Sequence, residues 1–229
     1  MARNALRRGV AVGGCLIAVL STCTGPTYNP PAGSDTSPSN LGVEVLVDEL
    51  GQQLTPGSPS TSLDVSIYFS LNGQSGIEFN QGESVKCGGT SLSFTLGRYH
   101  ASLSGWSDPV VCSYNRNGGS TKISAPVAQL PLPTYPTVGS TVPRTANLTV
   151  TYAQDPRSLG IRVRTDANIA SDAAFKPETG SLVYDASQEK QGSGVLTLER
   201  RVKTNPTGTG FKSFTSTSNS DASVLITWG

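Results

Sequence analysis

Residues 43–59, VEVLVDELGQQLTPGSP, decide how the chain reads. Val43, Val45 and Val47 recur at every second position among mostly polar neighbours, and the run ends in Gly51 and the breaker Pro56-Gly57-Ser58-Pro59. Successive side chains of a strand point to opposite faces, so this period marks one apolar face and one wet face, closed by a turn. The same grammar continues outward. Val65, Ile67 and Phe69 alternate, followed by residues 77–79, residues 85–87, and Leu92, Phe94 and Leu96 at period two. Tyr99, Ala101 and Leu103 extend the pattern, residues 110–114 read as a central strand, and Asn117-Gly118-Gly119 predicts a hairpin turn into residues 121–125.

Residues 126–136, PVAQLPLPTYP, carry four prolines. Proline lacks the ladder donor and is excluded from sheet interiors, so this segment predicts a boundary between a first domain at 41–130 and a second at 131–229. In the second half Leu148, Val150 and Tyr152 alternate. Strands are then expected at 161–163, 182–184, 195–202, 211–217 and 224–228, and only residues 167–175 tolerate a helical turn. Charged residues are 14% of the chain while Gly, Pro, Ser and Thr are abundant, a balance that belongs to short strands joined by turns. Net charge is +1, from 17 basic and 16 acidic side chains, and gives no electrostatic ground for a nucleic-acid partner.

The N-terminus carries an address. Arg3, Arg7 and Arg8 precede an apolar run over residues 10–20, then Ser21-Thr22-Cys23. A basic segment before a short apolar core is an export signal, too short to span a bilayer as a lasting helix. Leu20-Ser21-Thr22-Cys23 resembles the bacterial lipobox, although that pattern prefers Gly or Ala where Thr22 stands. The resemblance implies cleavage before Cys23 and a lipid anchor on its thiol, hence a membrane-anchored surface or periplasmic lipoprotein. The alternative is ordinary cleavage near residues 22–25 and release of a secreted protein. Residues 24–40, TGPTYNPPAGSDTSPSN, have the composition of a disordered tether.

Of four cysteines, Cys15 leaves with the signal and Cys23 is the lipid acceptor, so Cys87 and Cys112 remain as the expected disulfide of an oxidising compartment. Residues 136–143 followed by Leu148-Thr149-Val150-Thr151-Tyr152 resemble the opening of bacterial Ig-like domains: a proline, a glycine turn, a valine and an alternating strand. The resemblance covers about 17 residues and implies a β-sandwich fold used for adhesion, spacing and carbohydrate contact. Cys87 and Cys112 lie too close in sequence for the usual pin between sheets, so a bridge between neighbouring strands or a loop staple is expected. The fold class is therefore all-β: two tandem Ig-like antiparallel β-sandwiches after a signal peptide and linker.

No catalytic residue, cofactor or metal is assigned. His100 is the sole histidine and Tyr99 beside it falls on the opposite strand face, so no base is placed for a hydrolytic triad. Ser187-Gln188-Glu189-Lys190 matches a serine-x-x-lysine pattern without its companion elements. Glu78 with Glu83, or Asp64 with Glu78, are carboxylate pairs of the kind sixteen scattered acids always provide. Tyr99, Trp106 and Tyr114 gather aromatic rings near the expected disulfide and are the candidate ligand contacts, with Tyr99 and Trp106 as a sugar-stacking platform. The expected function is a non-enzymatic extracytoplasmic binding, adhesion or structural module with an unidentified protein or glycan ligand. Its alternatives are a carbohydrate-binding accessory protein and an extracytoplasmic hydrolase.

Overall fold

The computed structural model describes residues 35–53, 60–166, 174–206 and 209–229. The expected signal with Cys23, residues 24–34 and most of the helix-tolerant stretch lie outside the described residues. Strands in chain order are β1 (Leu41–Gln53), β2 (Ser60–Leu71), β3 (Gln74–Ser75), β4 (Glu83–Cys87), β5 (Thr90–Ser91), β6 (Ser93–Thr95), β7 (Arg98–Leu103) and β8 (Val110–Arg116). They continue as β9 (Gly119–Ala125), β10 (Pro133–Tyr135), β11 (Thr141–Val142), β12 (Asn147–Tyr152), β13 (Ser158–Thr165), β14 (Ser181–Asp185), β15 (Gly192–Thr204) and β16 (Ser213–Trp228). The helical elements among the described residues are single 3-10 turns at Pro38–Asn40 and Ala186–Gln188, so no helix there is long and apolar enough to cross a membrane.

One large sheet runs β13-β15-β16-β1-β2-β7-β6, with β3 beside β2 and β11 beside the end of β16. A sheet ordered β5-β4-β8-β9 and a smaller one ordered β10-β12-β14 complete the fold. Between the large sheet and the first of these lies one core, including Val45, Val65, Ile67, Phe69, Val85, Tyr114 and Ile123. A second core joins Val150, Ile161, Tyr184, Leu196, Leu198, Ile226 and Trp228. This is an all-β sandwich architecture, built as the period-two pattern demands. The β8–β9 hairpin turns at Asn117 and Gly118, whose φ values of 49° and 77° are those of the primed turn that matches strand twist.

The two cores share a strand. Residues 211–217 and 224–228, read from the sequence as separate strands, fall from Ser213 onward in one unbroken β16 whose inward face alternates as Phe214, Ser216, Ser218, Ser220, Ala222, Val224, Ile226 and Trp228. Phe214 packs in the first core, and Val224, Ile226 and Trp228 in the second. On one side β16 pairs antiparallel with the whole of β15, from Gly192–Trp228 to Thr204–Ser216, and on the other it pairs parallel with β1 from Gly42–Ser213 to Gln53–Val224. The serine-rich middle lacks apolar bulk, but it keeps the parity of a strand.

Several smaller expectations are corrected. Of residues 77–79 only Ile77 makes a ladder-type bond, to the Phe69 carbonyl at 3.5 Å. Leu96 is exposed with φ of 53° and belongs to the β6–β7 turn. The end of the expected tether, residues 35–40, is ordered: the Thr36 carbonyl accepts from the Tyr114 hydroxyl at 3.0 Å, the Thr36 hydroxyl donates to Glu83, and Asn40 donates to Asp35. Buried partners thus hold a segment whose composition alone would leave it loose. Cys87 and Cys112 stand directly opposite each other on β4 and β8 and form a disulfide between neighbouring strands.

Candidate functional site

The inward face of the shared sheet changes character at its middle. Across β15, β16 and β1 the register aligns Arg200, Ser220 and Glu49 in one row, and Val202, Ser218 and Val47 in the next. Arg200 is fully buried and Glu49 is 8% exposed. Buried polar groups need partners, and here the partners come largely from the proline-rich segment after β9. The Ala128 N–H donates to Ser218 Oγ at 2.8 Å, Val127 N–H to Asp108 Oδ1 at 3.0 Å and Gln129 N–H to Asp155 Oδ2 at 3.0 Å. Its carbonyls are taken as well: Gln129 O accepts from Arg200, and Val127 O from Arg157 Nη2 at 3.0 Å. Residues 126–132 stay out of every sheet and are laid across the large one as a strap, whereas residues 133–135, expected to be excluded from strands by their proline, form the edge strand β10. Gly51 makes room for it, because a Cβ there would stand 2.3 Å from the Leu130 side chain.

Two arginines fasten the strap to the second half. Arg200 pairs with Glu178 and also donates to the Ala153 carbonyl, while Glu178 accepts from Asp155 N–H at 2.9 Å. Arg157 bridges Asp155 at 3.0 Å and Asp108 at 2.7 Å, tying the β12–β13 turn to the β7–β8 loop. Burial would push the Asp155 carboxyl up, but the Arg157 guanidinium and the backbone N–H groups of Gln129 and Arg157 outweigh it and hold the group at about 2. Glu49 is shifted the other way, upward, mainly by burial.

Between the strap, β1 and the β7–β8 loop is a recess of about 380 Å³ lined by Glu49, Trp106, Asp108, Gln129, Leu130 and Arg157, among others. Of the aromatic candidates, Trp106 borders this recess. Tyr99 is 7% exposed and its ring lies 5.4 Å from Phe79 and 5.1 Å from Phe94. Its hydroxyl accepts from Phe79 N–H at 2.8 Å, and burial lifts it to about 12. Tyr114, 1% exposed, lies 5.6 Å from Phe69 with its hydroxyl on Glu83 and Thr36. The expected Tyr99–Trp106 platform is therefore not formed: strand parity turns Tyr99 and Tyr114 into the core, and their rings are structural.

The remaining sequence candidates are scattered. His100 lies on the outward face of β7, paired across the sheet with Ser66 and Ser93. Glu83 is engaged by Thr36, Tyr114 and Arg116. Ser187 sits in a 3-10 turn capped by Asp185, and Glu189 is buried against Thr165 and Tyr184. What sequence reasoning missed is the inward polar row, and the signal was present: Glu49 continues the parity of Val43, Val45 and Val47, and Arg200 that of Leu196 and Leu198.

On the outward face the charges form a network. Glu199, 6% exposed, accepts from Arg162 at 2.7 Å and stands 3.3 Å from Arg164, which pairs with Asp221 at 2.6 Å. Asp221 Oδ1 has no hydrogen-bond partner among the described residues. Burial and the neighbouring Glu199 carboxylate raise Asp221 to about 6 against the pull of Arg164. An acid raised above its unfolded value of 3.8 binds its proton more tightly in the folded state, so stability rises as pH falls from about 6 towards 4. Below that, protonation of Asp155 removes stability as the pH approaches 2. Urea unfolding at stepped pH is expected to show this rise in the native chain and a flattened slope between pH 6 and 4 in Asp221→Asn; an unchanged slope would assign it to another group.

No protein-family model matches the chain, and no curated protein matches it. Among solved structures it is similar to the fibronectin(III)-like modules of Clostridium thermocellum CbhA, at 11% identity and a TM-score of 0.24, over 81% of this chain and 94% of that one. It is also similar to SGBP-B of the Bacteroides ovatus mixed-linkage glucan utilization locus, solved with a mixed-linkage heptasaccharide, at 9% identity and a TM-score of 0.21, over 82% of this chain and 60% of that one. Superpositions this loose carry no argument about what this chain does.

Proposed function

We propose that the chain is an exported, non-enzymatic surface module, held to a membrane through Cys23 and serving a binding or structural role, with domains divided at 130/131. The observation that supports it most is the shared sheet: β16 belongs to both cores, and the strap is hydrogen-bonded across it. Two sandwiches joined in this way hold a fixed relative orientation, which suits a spacer or a receptor that must present one surface steadily. The basic and apolar leader supports export, and Leu20-Ser21-Thr22-Cys23 supports the anchor.

Expression of the full chain in a bacterium, followed by fractionation and intact mass, tests this reading. The expected product begins at Cys23, carries a lipid-sized mass excess and sediments with membranes, and Cys23→Ser moves it to the soluble extracytoplasmic fraction. An unmodified mature N-terminus overturns the anchor, and a full-length cytoplasmic product overturns export. A second reading, a carbohydrate-binding accessory, draws support from Trp106 at the recess beneath the strap.

A further inference from the structure

We infer that the recess between the strap and the β7–β8 loop is a binding site for a neutral oligosaccharide, with Trp106 as its apolar wall and Glu49 as its buried acceptor. The inference deepens the surface-module reading and rests on it. Three observations carry it.

The recess is walled by residues from distant parts of the chain: Glu49 from β1, Trp106 and Asp108 from the β7–β8 loop, Gln129 from the strap and Arg157 from the β12–β13 turn. Concave sites of this size at the junction of two packed units, apolar on one side with a few convergent polar groups, are the usual form of small-ligand sites. At about 380 Å³ it holds one or two sugar rings rather than a folded partner.

Its charges are internally balanced. Arg157 is already neutralised by Asp108 and Asp155, so the recess offers no free cation for a phosphate or carboxylate ligand. A ligand suited to it carries hydroxyl donors and acceptors together with an apolar face. A pyranose has that combination, its C–H face lying on the indole and its hydroxyls reaching the polar rim.

Glu49 has spare acceptor capacity at the recess. The residue is more than nine-tenths buried, lines the recess and accepts from Ser220 Oγ at 2.9 Å. An ionised carboxylate has room for about four donors. Ligand hydroxyls entering the recess would be further donors to it.

The chain has two tryptophans, and Trp228 is 2% exposed in the second core, so a ligand-induced change in tryptophan emission reports on Trp106. The test is fluorescence titration of the mature exported product with a panel of neutral hexasaccharides: β-glucan, α-glucan, xylan, mannan and galactan. Saturable quenching or a blue shift with at least one member is expected. Isothermal calorimetry with that member should show binding weakened about tenfold or more by Trp106→Ala and by Glu49→Ala. Unchanged far-ultraviolet circular dichroism and a cooperative urea transition in both variants would exclude misfolding as the cause, and Glu49→Gln, which keeps the shape and an acceptor oxygen, should bind better than Glu49→Ala. Binding undiminished in folded Trp106→Ala and Glu49→Ala overturns this site while leaving the surface-module reading in place. No response to any member of the panel overturns the proposal.

Discussion

Arg200→Met is expected to lower stability by about 3–5 kcal/mol, because removing one partner of a buried ion pair leaves the other charge uncompensated. The side chain is fully buried and ties three things together: the Glu178 carboxylate, the Ala153 carbonyl and the Gln129 carbonyl of the strap. Methionine keeps the stem and the packing but returns none of the hydrogen bonds. Adding Glu178→Met should restore part of the loss, since the stranded carboxylate is then gone, although Asp155 N–H loses its acceptor. A double-mutant cycle read by urea midpoints isolates the pair. A single variant within about 1 kcal/mol of the parent would mean that the strap is not held by this arginine.

The second large effect is expected at the disulfide. Replacing Cys87 and Cys112 together with serine opens a link between residues 25 positions apart, worth about 3–4 kcal/mol in the chain-entropy account. Both sulfurs are buried in the first core, so the hydroxyls left behind add to the loss. Unfolding in urea should shift to a lower midpoint with a steeper m-value, because the uncrosslinked denatured chain exposes more surface. A loss below about 1 kcal/mol would show that strand pairing between β4 and β8 already supplies the constraint.

The two predictions also show where the sequence was legible. Paired cysteines and valines at period two are local signals, and β1, β2, β4, β7, β8 and β12 follow them closely. Asn117-Gly118 names its own turn. The middle of β16 was not legible as apolar pattern, because Ser216, Ser218 and Ser220 carry no hydrophobic bulk; the strap that covers Ser218 lies 90 residues earlier in the chain. Parallel pairing of β1 with β16 is equally invisible to any local window. Tyr99 and Tyr114 were misplaced for a different reason: aromatic residues near a disulfide attract a binding interpretation, whereas counting parity from Leu103 and Val110 puts both inward. The same counting, applied to Glu49 and Arg200, would have flagged two charged residues on an apolar face, the strongest available pointer to the junction and its recess.

The pairing of β1 with β16 also fixes an order of events in folding. Asp48 and Asn219 are hydrogen-bonded at 2.9 Å although 171 residues separate them. A chain emerging N-terminus first presents β1 with one open edge until β16 has followed, and an open edge invites pairing with other chains. Contacts this distant close late and slowly, since the entropy of loop closure comes before their reward. Strand β16 thus seals β1 only after the intervening residues have been delivered, and until then the open edge of β1 is exposed to aggregation and proteolysis.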